Sequence, residues 1–594
     1  MIITLRRRPS RQDASERPQT TKRAHTLNRH LRSSFAIILS FAVSGAFAQE
    51  AQQFPKLVET VNVRVINVDV VVTDRRGNPI PGLKISDFEI YENGKSQPVT
   101  NFYEVSGKTS TAEASPVAAP AVTTTSAAAA ASAPATSAPG ADATKRKIIY
   151  FIDNLSLNPL NRNNVFKSMK KFARESMRPG DEAMIATWNR SIKTRVPFTR
   201  DPAVIIQELD GIARESAFGL QNLSERRSAE SRIREARNYE EAVSTARSYA
   251  QSAEHDLRQT VAALNGLMAT LAGVEGKKIM VLTSEGMPMS PGREMFVFID
   301  DISREKQNWQ RGSSLIEGMS FDSTQLIQSI ARTANANGIT LYTLHAGGLG
   351  AGMEGSSAEN QAPIGLAVQQ AALSNSTDSL NLLADMTGGL ATIGTNNFPA
   401  AFSRINQDLE AYYSLGYRST TERVDRQRNV QVKVKNKSWI VRSRRTFVEK
   451  SIPTEMTDRV VANLFYINRA NDLKIVMKTG IPVAVDQDRF KVPVEIHIPM
   501  DNLTLIPQGE VLVGGFSVYI GVADERGDMS DVNQQSHRLN VPQAESERMK
   551  GKDYIYTVEL IMAKGLNKIS IGVVDEISNT TGFDRRPLMV KDLR

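Results

Sequence analysis

The sequence predicts a multidomain chain built around one doubly wound α/β domain, with a small β module before it and a β-sandwich after it. The strongest observation is the segment KIIYFIDNLSL at 147–157, in which five consecutive apolar residues end abruptly at Asp153 and Asn154. A strand that is apolar on both faces is typical of the buried centre of a parallel sheet. Ligands of such sheets bind beyond the carboxyl ends of the strands, where Asp153 lies.

The second observation is the alternation of strand and helix patterns over residues 145–450, which we assign to the α/β domain. Helical periodicity at 161–176 and 325–337 separates segments that are typical of buried strands. These strand segments are DEAMIATWN at 181–189, GKKIMVLTSEG at 276–286 and GITLYTL at 338–344. Residues 413–417 and 430–434 are predicted to form a terminal hairpin of the same domain.

Two long segments interrupt this alternation. Residues 215–272 contain no proline and are rich in Ala, Glu, Arg and Ser, which predicts two long helices or a helical hairpin. Residues 215–260 are therefore interpreted as a helical insertion in the α/β domain. Residues 287–321 show little periodicity and are predicted to be a long loop.

The third observation is strand-like alternation at both ends of the chain. Residues 60–105 alternate apolar and polar positions around the hairpin signal Asn93-Gly94, which predicts a small N-terminal β module. Residues 106–144 are almost wholly Ala, Ser, Thr, Pro and Val, a composition that predicts a linker. Residues 475–594 alternate again between Gly, Asn and Asp turns, which predicts a C-terminal β-sandwich.

The charge distribution argues against nucleic-acid binding. The chain carries a formal charge of +9, but residues 1–48 hold nine Lys and Arg against two acids, which is +7 of that total. The remaining +2 is close to neutral, so there is no basic surface to drive phosphate binding.

The basic N-terminus is instead typical of a secretory signal peptide at 1–48. Basic residues lead into the apolar stretch at 35–43, and Ala46-Phe47-Ala48 forms an A-x-A cleavage site before Gln49. A retained N-terminal membrane anchor is the alternative, but the apolar core is short for a span. With no later span expected, we predict an exported bacterial protein that is periplasmic, on the cell surface or secreted. The absence of cysteine excludes disulfides, thiolate catalysis and Cys-ligated zinc.

Several stretches over about 60–450 carry a family resemblance when taken in order. They are SDFEIYENGKSQPVTNF, KIIYFIDN, RPGDEAMIATWN, VPFTRDP, GKKIMVLTSEG, GITLYTLHAGG, LADMTGGLA and LEAYYSLGYR. Through them the chain resembles a von Willebrand factor A-type (VWA) domain and is similar to the secreted acidobacterial VWFA-related family. The resemblance implies a Rossmann-like α/β fold, and it implies a protein partner rather than catalysis.

The resemblance also implies a metal-ion-dependent adhesion site, written Asp-x-Ser-x-Ser after the first strand with a later Thr and Asp. Asp153 matches the first position, whereas Leu155 and Leu157 occupy both serine positions and Ser156 is out of register. Glu285 stands where the later Asp is expected. The candidate metal ligands are thus Asp153, Ser156 and Glu285, in a site that we expect to be degenerate and without a cofactor. The alternative is that Asp153 and Glu285 accept hydrogen bonds from backbone N–H groups of neighbouring loops and helices.

Three functional hypotheses follow. The first is a non-enzymatic interaction protein that binds another protein through the loops 153–160, 285–321 and 346–376. The second makes this binding dependent on Mg²⁺ or Ca²⁺ held by Asp153 and Glu285. The third is an exported hydrolase, although the TSEG at 283–286 lacks the first glycine of G-x-S-x-G and no H-E-x-x-H occurs. We assign no catalytic residue.

Overall fold

The computed structural model describes residues 65–106, 109–114, 145–306, 309, 313–350, 365–419, 423–467 and 470–591. The predicted signal peptide at 1–48 and residues 115–144 of the predicted linker lie outside the described residues. The described chain is multidomain and contains both helices and sheets, as the sequence predicts.

The N-terminal β module contains five strands and one short 3₁₀ turn (Ile85–Asp87). The strands are β1 (Val65–Thr73), β2 (Phe88–Glu92), β3 (Lys95–Gln97), β4 (Val99–Ser106) and β5 (Thr109–Ala114). Strand β5 pairs antiparallel with β4, so the predicted linker does not begin at 106. Composition alone missed this strand because pairing with an adjacent edge can order a Thr- and Ala-rich segment.

The central domain consists of alternating strands and helices. They are β6 (Arg146–Asp153), α1 (Pro159–Ser176), β7 (Glu182–Trp188), β8 (Ile192–Thr199), α2 (Pro202–Ile212), α3 (Gly219–Glu235), α4 (Tyr239–Thr270), β9 (Lys277–Ser284), α5 (Arg293–Glu305), α6 (Ser314–Met319), α7 (Thr324–Ala336), β10 (Ile339–His345), α8 (Leu366–Thr387), β11 (Ala391–Thr392) and α9 (Phe398–Glu410). A 3₁₀ turn (Gly348–Gly350) follows β10. Each buried strand is an apolar run without alternation, which suits a sheet covered on both faces.

The central sheet has the strand order β11-β10-β9-β6-β7-β8, and every adjacent pair is parallel except β7 with the edge strand β8. One apolar layer joins the sheet to α1, α2 and α9, and includes Ile148, Phe166 and Phe402. A second layer joins the opposite face to α4, α7 and α8, and includes Phe151 and Leu264. The sheet is therefore covered by helices on both faces, and β6 lies at its centre.

The segment 287–321, predicted to be a loop, instead contains the helices α5 and α6. Helix α5 buries Phe296, Phe298 and Ile299 against α3 and α4 of the predicted insertion. The insertion is thus docked on the domain through its own apolar core. The prediction was wrong because it overlooked the helical spacing of Met295, Ile299 and Ile302, which line one buried face of α5.

The strands that follow α9 also differ from the prediction. They are β12 (Ala411–Arg418), β13 (Gln427–Val434), β14 (Ile440–Ser443) and β15 (Thr446–Val448). β12 pairs with β1 and β4, whereas β13 pairs with β2 and β15, so the predicted hairpin is wrong. These strands join the N-terminal module in the sheets β14-β1-β12-β4-β5 and β15-β13-β2-β3. The module is completed by residues before 450 that we assigned to the α/β domain.

The C-terminal part begins with a helix that packs against α4 of the central domain and against strands that follow it in the chain. The rest of this part consists mainly of strands. The elements are α10 (Ile452–Phe465), β16 (Val476–Thr479), β17 (Val483–Ala484), β18 (Arg489–Pro499), β19 (Ile506–Gln508), β20 (Val511–Ala523), β21 (Asn533–Pro542), α11 (Ser546–Met549), β22 (Asp553–Ala563), β23 (Gly565–Asp575) and β24 (Thr581–Val590), with 3₁₀ turns at Met500–Asn502 and Gln543–Glu545. β16, β17, β18 and β22 form one antiparallel sheet, and β19, β20, β21, β23 and β24 form another. Alternate residues of the two sheets, among them Phe490, Ile496, Phe516 and Ile571, share one apolar core.

No helix in the described part of the chain is long and apolar enough to cross a membrane.

Candidate functional site

The site forms where the strand order of the central sheet reverses direction. From β6 the chain continues to β7 and β8 on one side, whereas β9 lies on the other side and leads to β10 and β11. The carboxyl ends of β6 and β9 therefore meet at the topological switch point, where open α/β sheets bind their ligands. We call the loops 153–160, 285–292 and 346–350, which follow β6, β9 and β10, the rim.

Asp153 is the last residue of β6 and is buried. Its Oδ2 accepts hydrogen bonds from Ser156 Oγ at 2.7 Å and from Ser284 Oγ at 2.8 Å. Its Oδ1 is 3.3 Å from the backbone nitrogen of Ser156, which donates to it. Both carboxylate oxygens are thus engaged, by Ser156 of the loop that follows β6 and by Ser284 of β9.

Burial and hydrogen bonding act on this carboxyl group in opposite directions. Desolvation raises the pKa of Asp153 and is the largest influence, whereas the hydrogen bonds from Ser156 and Ser284 lower it. The net result is a raised pKa. The two hydroxyls therefore compensate only part of the cost of keeping a carboxylate in this buried position.

Ser156, one of the three predicted candidates, lies in the cluster although it is out of register with the motif. The backbone nitrogen of Ser156 donates to Asp153 O at 3.2 Å, so a turn brings residue 156 back over residue 153. Ser156 Oγ then lies 2.9 Å from Ser284 Oγ and accepts from the backbone nitrogen of Glu285 at 3.0 Å. The same turn directs Leu155 and Leu157 into the two opposite apolar layers of the domain.

These residues do not fit a resident divalent cation. The cluster contributes one carboxylate and two hydroxyls, whereas Mg²⁺ and Ca²⁺ take about six to eight oxygen ligands. The two positions that would add hydroxyls are Leu155 and Leu157, which are 5% and 0% exposed in the apolar layers. Within the described residues there is no group of three or more His, Cys, Asp or Glu side chains suited to hold a metal ion.

The Glu285 side chain is directed to the start of α1 rather than to Asp153. Its Oε1 accepts from the backbone nitrogen of Asn158, the N-cap residue of α1, at 2.8 Å and from Asn161 Nδ2 at 3.0 Å. A carboxylate is favourable at this position because unpaired N–H groups and the helix dipole converge there. The backbone nitrogen of Glu285 joins the Asp153 cluster by donating to Ser156 Oγ at 3.0 Å.

The helical insertion fixes the loop that follows Asp153. The backbone nitrogens of Phe218 and Gly219 donate to Asn154 O at 2.9 Å and Leu157 O at 3.1 Å. Asn222 Nδ2 donates to Leu155 O at 2.8 Å. The carbonyl groups of this loop are thereby satisfied by protein, and the loop has one defined conformation.

A buried arginine also supports the loop that follows Asp153, and it was not predicted from the sequence. The Arg162 side chain on α1 is 0% exposed and donates to Asn154 Oδ1 at 3.0 Å. It also donates to the carbonyl oxygens of Ala213 at 3.2 Å and Glu215 at 2.8 Å. Desolvation lowers the pKa of Arg162, and the charge of Glu215 partly opposes this. The available signal was an arginine on the apolar face of α1, three residues before Val165.

The loop after β9 is held under α8. Gly286 has φ of +103°, and a Cβ at this position would lie 2.4 Å from Ser376 O. Met289 N donates to Asn375 O at 2.9 Å, and Ser290 N donates to Asn375 Oδ1 at 2.8 Å. Glycine is required here because both the backbone conformation and the close approach exclude a side chain.

Ser284 and His345 are neighbouring polar side chains at this edge. They are register partners on adjacent parallel strands, and both are buried. Burial lowers the pKa of His345, and a hydrogen bond to the backbone of Glu285 partly opposes this. Among the described residues, Ser284 Oγ is bonded to Asp153, Ser156 and the backbone of Gly286 but not to His345. A nucleophile–base pair requires such a bond, so this geometry does not support the hydrolase hypothesis.

No protein-family model and no curated protein matches the chain. Solved structures to which it is similar include the vWF domain of the type V pili tip protein Mfa5 from Porphyromonas gingivalis, at 13% identity over 44% of this chain and 94% of that one, with a TM-score of 0.24. Three N-terminal domains of the same protein match at 10% identity, over 75% of this chain and 71% of that one, with a TM-score of 0.24. An aerotolerance-related membrane protein from Bacteroides fragilis matches at 12% identity, over 45% and 98%, with a TM-score of 0.21. These TM-scores are low, so the assignment of the fold rests on the strand order of the central sheet.

Proposed function

We propose that the chain is an exported, non-enzymatic protein-binding protein of the von Willebrand factor A type, flanked by a small β module and a C-terminal β-sandwich. Its metal-ion-dependent adhesion site is degenerate, and the rim binds a protein partner without a cation. Support comes from the strand order of the central sheet and from the position of Asp153 at its switch point. The family assignment itself rests on the sequence resemblance.

One observation carries the proposal that no cation is needed. Both carboxylates of the candidate site are engaged by protein donors, Asp153 by two hydroxyls and Glu285 by the N-cap residue of α1. A cation site would need these oxygens to face an open position. The donors instead give the rim a fixed shape, and a rigid rim suits protein recognition because little ordering is required on binding.

The rim also exposes apolar side chains that a partner would bury. Leu160 at the start of α1 is 75% exposed, and Leu349 after β10 is 66% exposed. A partner bound at the rim would remove these apolar side chains from water, which is favourable for association. We therefore expect Leu160 and Leu349 to lie in the contact surface.

The test uses the chain from residue 49 onward as bait for proteins of the bacterial envelope, followed by binding measurements with the captured partner. The variant Leu160→Glu with Leu349→Glu should weaken binding of that partner by at least about tenfold, since a carboxylate would be desolvated in the interface. The control is Ile481→Glu, because Ile481 is 69% exposed and lies between β16 and β17 of the C-terminal part, outside the rim loops. Equal binding by both variants would disprove the rim proposal.

Cation-dependent binding is the second candidate, and the convergence of Asp153, Ser156 and Ser284 oxygens within 2.9 Å of one another favours it. Under the first proposal, EDTA leaves partner binding unchanged, and titration with Mg²⁺, Mn²⁺ or Ca²⁺ produces no heat. Heat that is abolished in Asp153→Ala, together with binding that is lost in EDTA, would replace the first proposal by the second.

A further inference from the structure

A cavity lies at the opposite end of the central strands from the rim. It has a volume of about 530 Å³ and is enclosed between the N-terminal module and the amino-terminal ends of β9 and β10. The module contributes Asp69 of β1, Tyr412 of β12 and Arg444, and the sheet contributes Lys277 and Lys278 of β9. This volume is in the range of pockets that hold small molecules.

The cavity is lined by four basic and two acidic side chains. Two of the basic groups are neutralised in place. Lys277 Nζ lies 3.1 Å from Asp69 Oδ2 and also lies over the Tyr412 ring, 3.1 Å from its centroid. Arg442 donates to both carboxylate oxygens of Asp408 at 2.7 and 2.6 Å. Both acidic side chains are thus paired with basic groups. The net positive charge of the cavity comes from the other two basic side chains.

Those two side chains are Lys278 and Arg444. Lys278 Nζ donates to the carbonyl oxygens of Ala272 at 3.2 Å and Val274 at 2.7 Å. In the described part of the chain, Arg444 has no carboxylate within ion-pair distance, and its guanidinium lies over the Phe447 ring, 5.8 Å from the ring centroid. The positive charge of Arg444 helps lower the pKa of Asp69, and it also lowers the pKa values of Lys277 and Lys278. Arg444 lines the same cavity as these three side chains.

These charged groups are inside the protein and yet accessible. Burial is the largest influence on Asp69, Lys277 and Arg444: it lowers the pKa of the two basic groups and opposes the fall in the pKa of Asp69. The Asp69 side chain nevertheless keeps 36% of its surface accessible, and Lys277 keeps 15%. The side chains are buried and still accessible because they face the cavity rather than packed protein.

From this arrangement we infer that the cavity binds a small organic anion, whose carboxylate or phosphate group pairs with Arg444 beside Lys277. The rest of the ligand packs against the rings of Tyr103 and Tyr412. A planar guanidinium binds either oxyanion with two parallel hydrogen bonds, and the low polarity of the surrounding rings strengthens that pairing. The site is separate from the rim and does not depend on the function proposed for the rim.

The experiment measures binding of citrate and of inorganic phosphate to the chain by calorimetry and by the shift in melting temperature, with chloride as the ionic-strength reference. Arg444→Gln should weaken binding by at least about tenfold, as expected for loss of one charge-assisted pair. Arg445→Gln is the matched control, since Arg445 is 61% exposed, pairs with Asp385 and does not line the cavity. Its affinity for both anions should equal that of the wild-type chain. Citrate and phosphate together distinguish a carboxylate from a phosphate ligand.

A second variant, Asp69→Asn, tests the proposal independently of Arg444→Gln. Removing this negative charge should tighten anion binding, because Lys277 then becomes available to the ligand. A purely structural role of Arg444 would not produce this gain, and the second variant remains informative if Arg444→Gln does not fold. The inference is overturned if the wild-type chain binds neither anion at about 10 mM, well above the micromolar-to-millimolar range of ordinary ligand sites. It is equally overturned if Arg445→Gln loses as much affinity as Arg444→Gln, or if Asp69→Asn binds no more tightly.

Discussion

Ser284 Oγ donates a hydrogen bond of 2.8 Å to Asp153 Oδ2 and thereby joins the carboxyl ends of β9 and β6. These two strands belong to the two halves of the central sheet, so the hydrogen bond links the two halves at the switch point. The serine occupies the place beside Asp153 that sequence reasoning gave to Glu285. A hydroxyl here keeps the buried carboxylate hydrogen-bonded and leaves Glu285 to cap α1.

The first prediction concerns this bond. Ser284→Ala removes one of the two hydroxyl donors to a buried carboxylate, which should destabilise the α/β domain by about 1–3 kcal/mol. Calorimetric melting of the whole chain measures the loss as a lower transition temperature. Ser374→Ala on α8 is the control, because Ser374 is exposed and donates only to a carbonyl of its own helix. An equal effect of the two substitutions would contradict a special role for Ser284.

The central sheet was predictable from sequence because its strands are buried on both faces. The runs that became β6, β7, β9 and β10 are continuous and apolar, a pattern that few other elements share. The pairing of β12 with β1 was not predictable in the same way. Residues Tyr417 and Ile66 are register partners although the whole α/β domain separates them in the chain. Local patterns carry no information about such a partner.

Only part of the candidate site was predictable from sequence, because its side chains come from different strands and loops. Asp153 followed from the end of an apolar strand, and Ser156 was a candidate in the loop after it, but Ser284 was missed because its place in the cluster depends on geometry that spacing does not encode. Ser284 reaches Asp153 because β6 and β9 are neighbours, and Ser156 reaches it through a turn. A search for oxygen ligands at fixed spacing therefore found Glu285, the residue next to the correct one.

The second prediction concerns Arg162. Arg162→Met keeps much of the apolar volume but leaves Asn154 Oδ1 and the carbonyl oxygen of Glu215 without their donor, whereas the carbonyl oxygen of Ala213 keeps Asn163 Nδ2. We expect a loss of at least about 2 kcal/mol, since each of the two unsatisfied buried acceptors costs roughly 1–3 kcal/mol. Arg174→Met on the same helix should cost under about 1 kcal/mol, because Arg174 is exposed. Urea denaturation followed by circular dichroism compares them, and similar midpoints would refute the role given to Arg162.

The third prediction concerns the contact between the insertion and the rim. In Gly219→Ala the new Cβ would lie 2.5 Å from the carbonyl carbon of Leu157, so the loop after Asp153 must shift. Melting temperature should fall, and binding of the partner at the rim should weaken. Gly266→Ala on α4 meets no atom within 4 Å, and it should be neutral or stabilising by up to about 1 kcal/mol through helix propensity. A Gly219→Ala chain that melts and binds like Gly266→Ala would show that the loop tolerates displacement.

The last prediction concerns pH and rests on His345. Burial lowers the pKa of this histidine in the folded chain, so below the ordinary value of about 6.5 the unfolded chain binds the proton more readily than the folded chain does. Stability should therefore fall as pH drops from about 7 to 5, because protons favour the unfolded state. In His345→Gln this contribution is absent, so the difference in melting temperature between variant and wild type should shift in favour of the variant at pH 5. His255→Gln removes an exposed histidine from α4 and should follow the wild-type curve. Parallel curves for His345→Gln and the wild-type chain would mean that the histidine at the rim is readily protonated without loss of the fold.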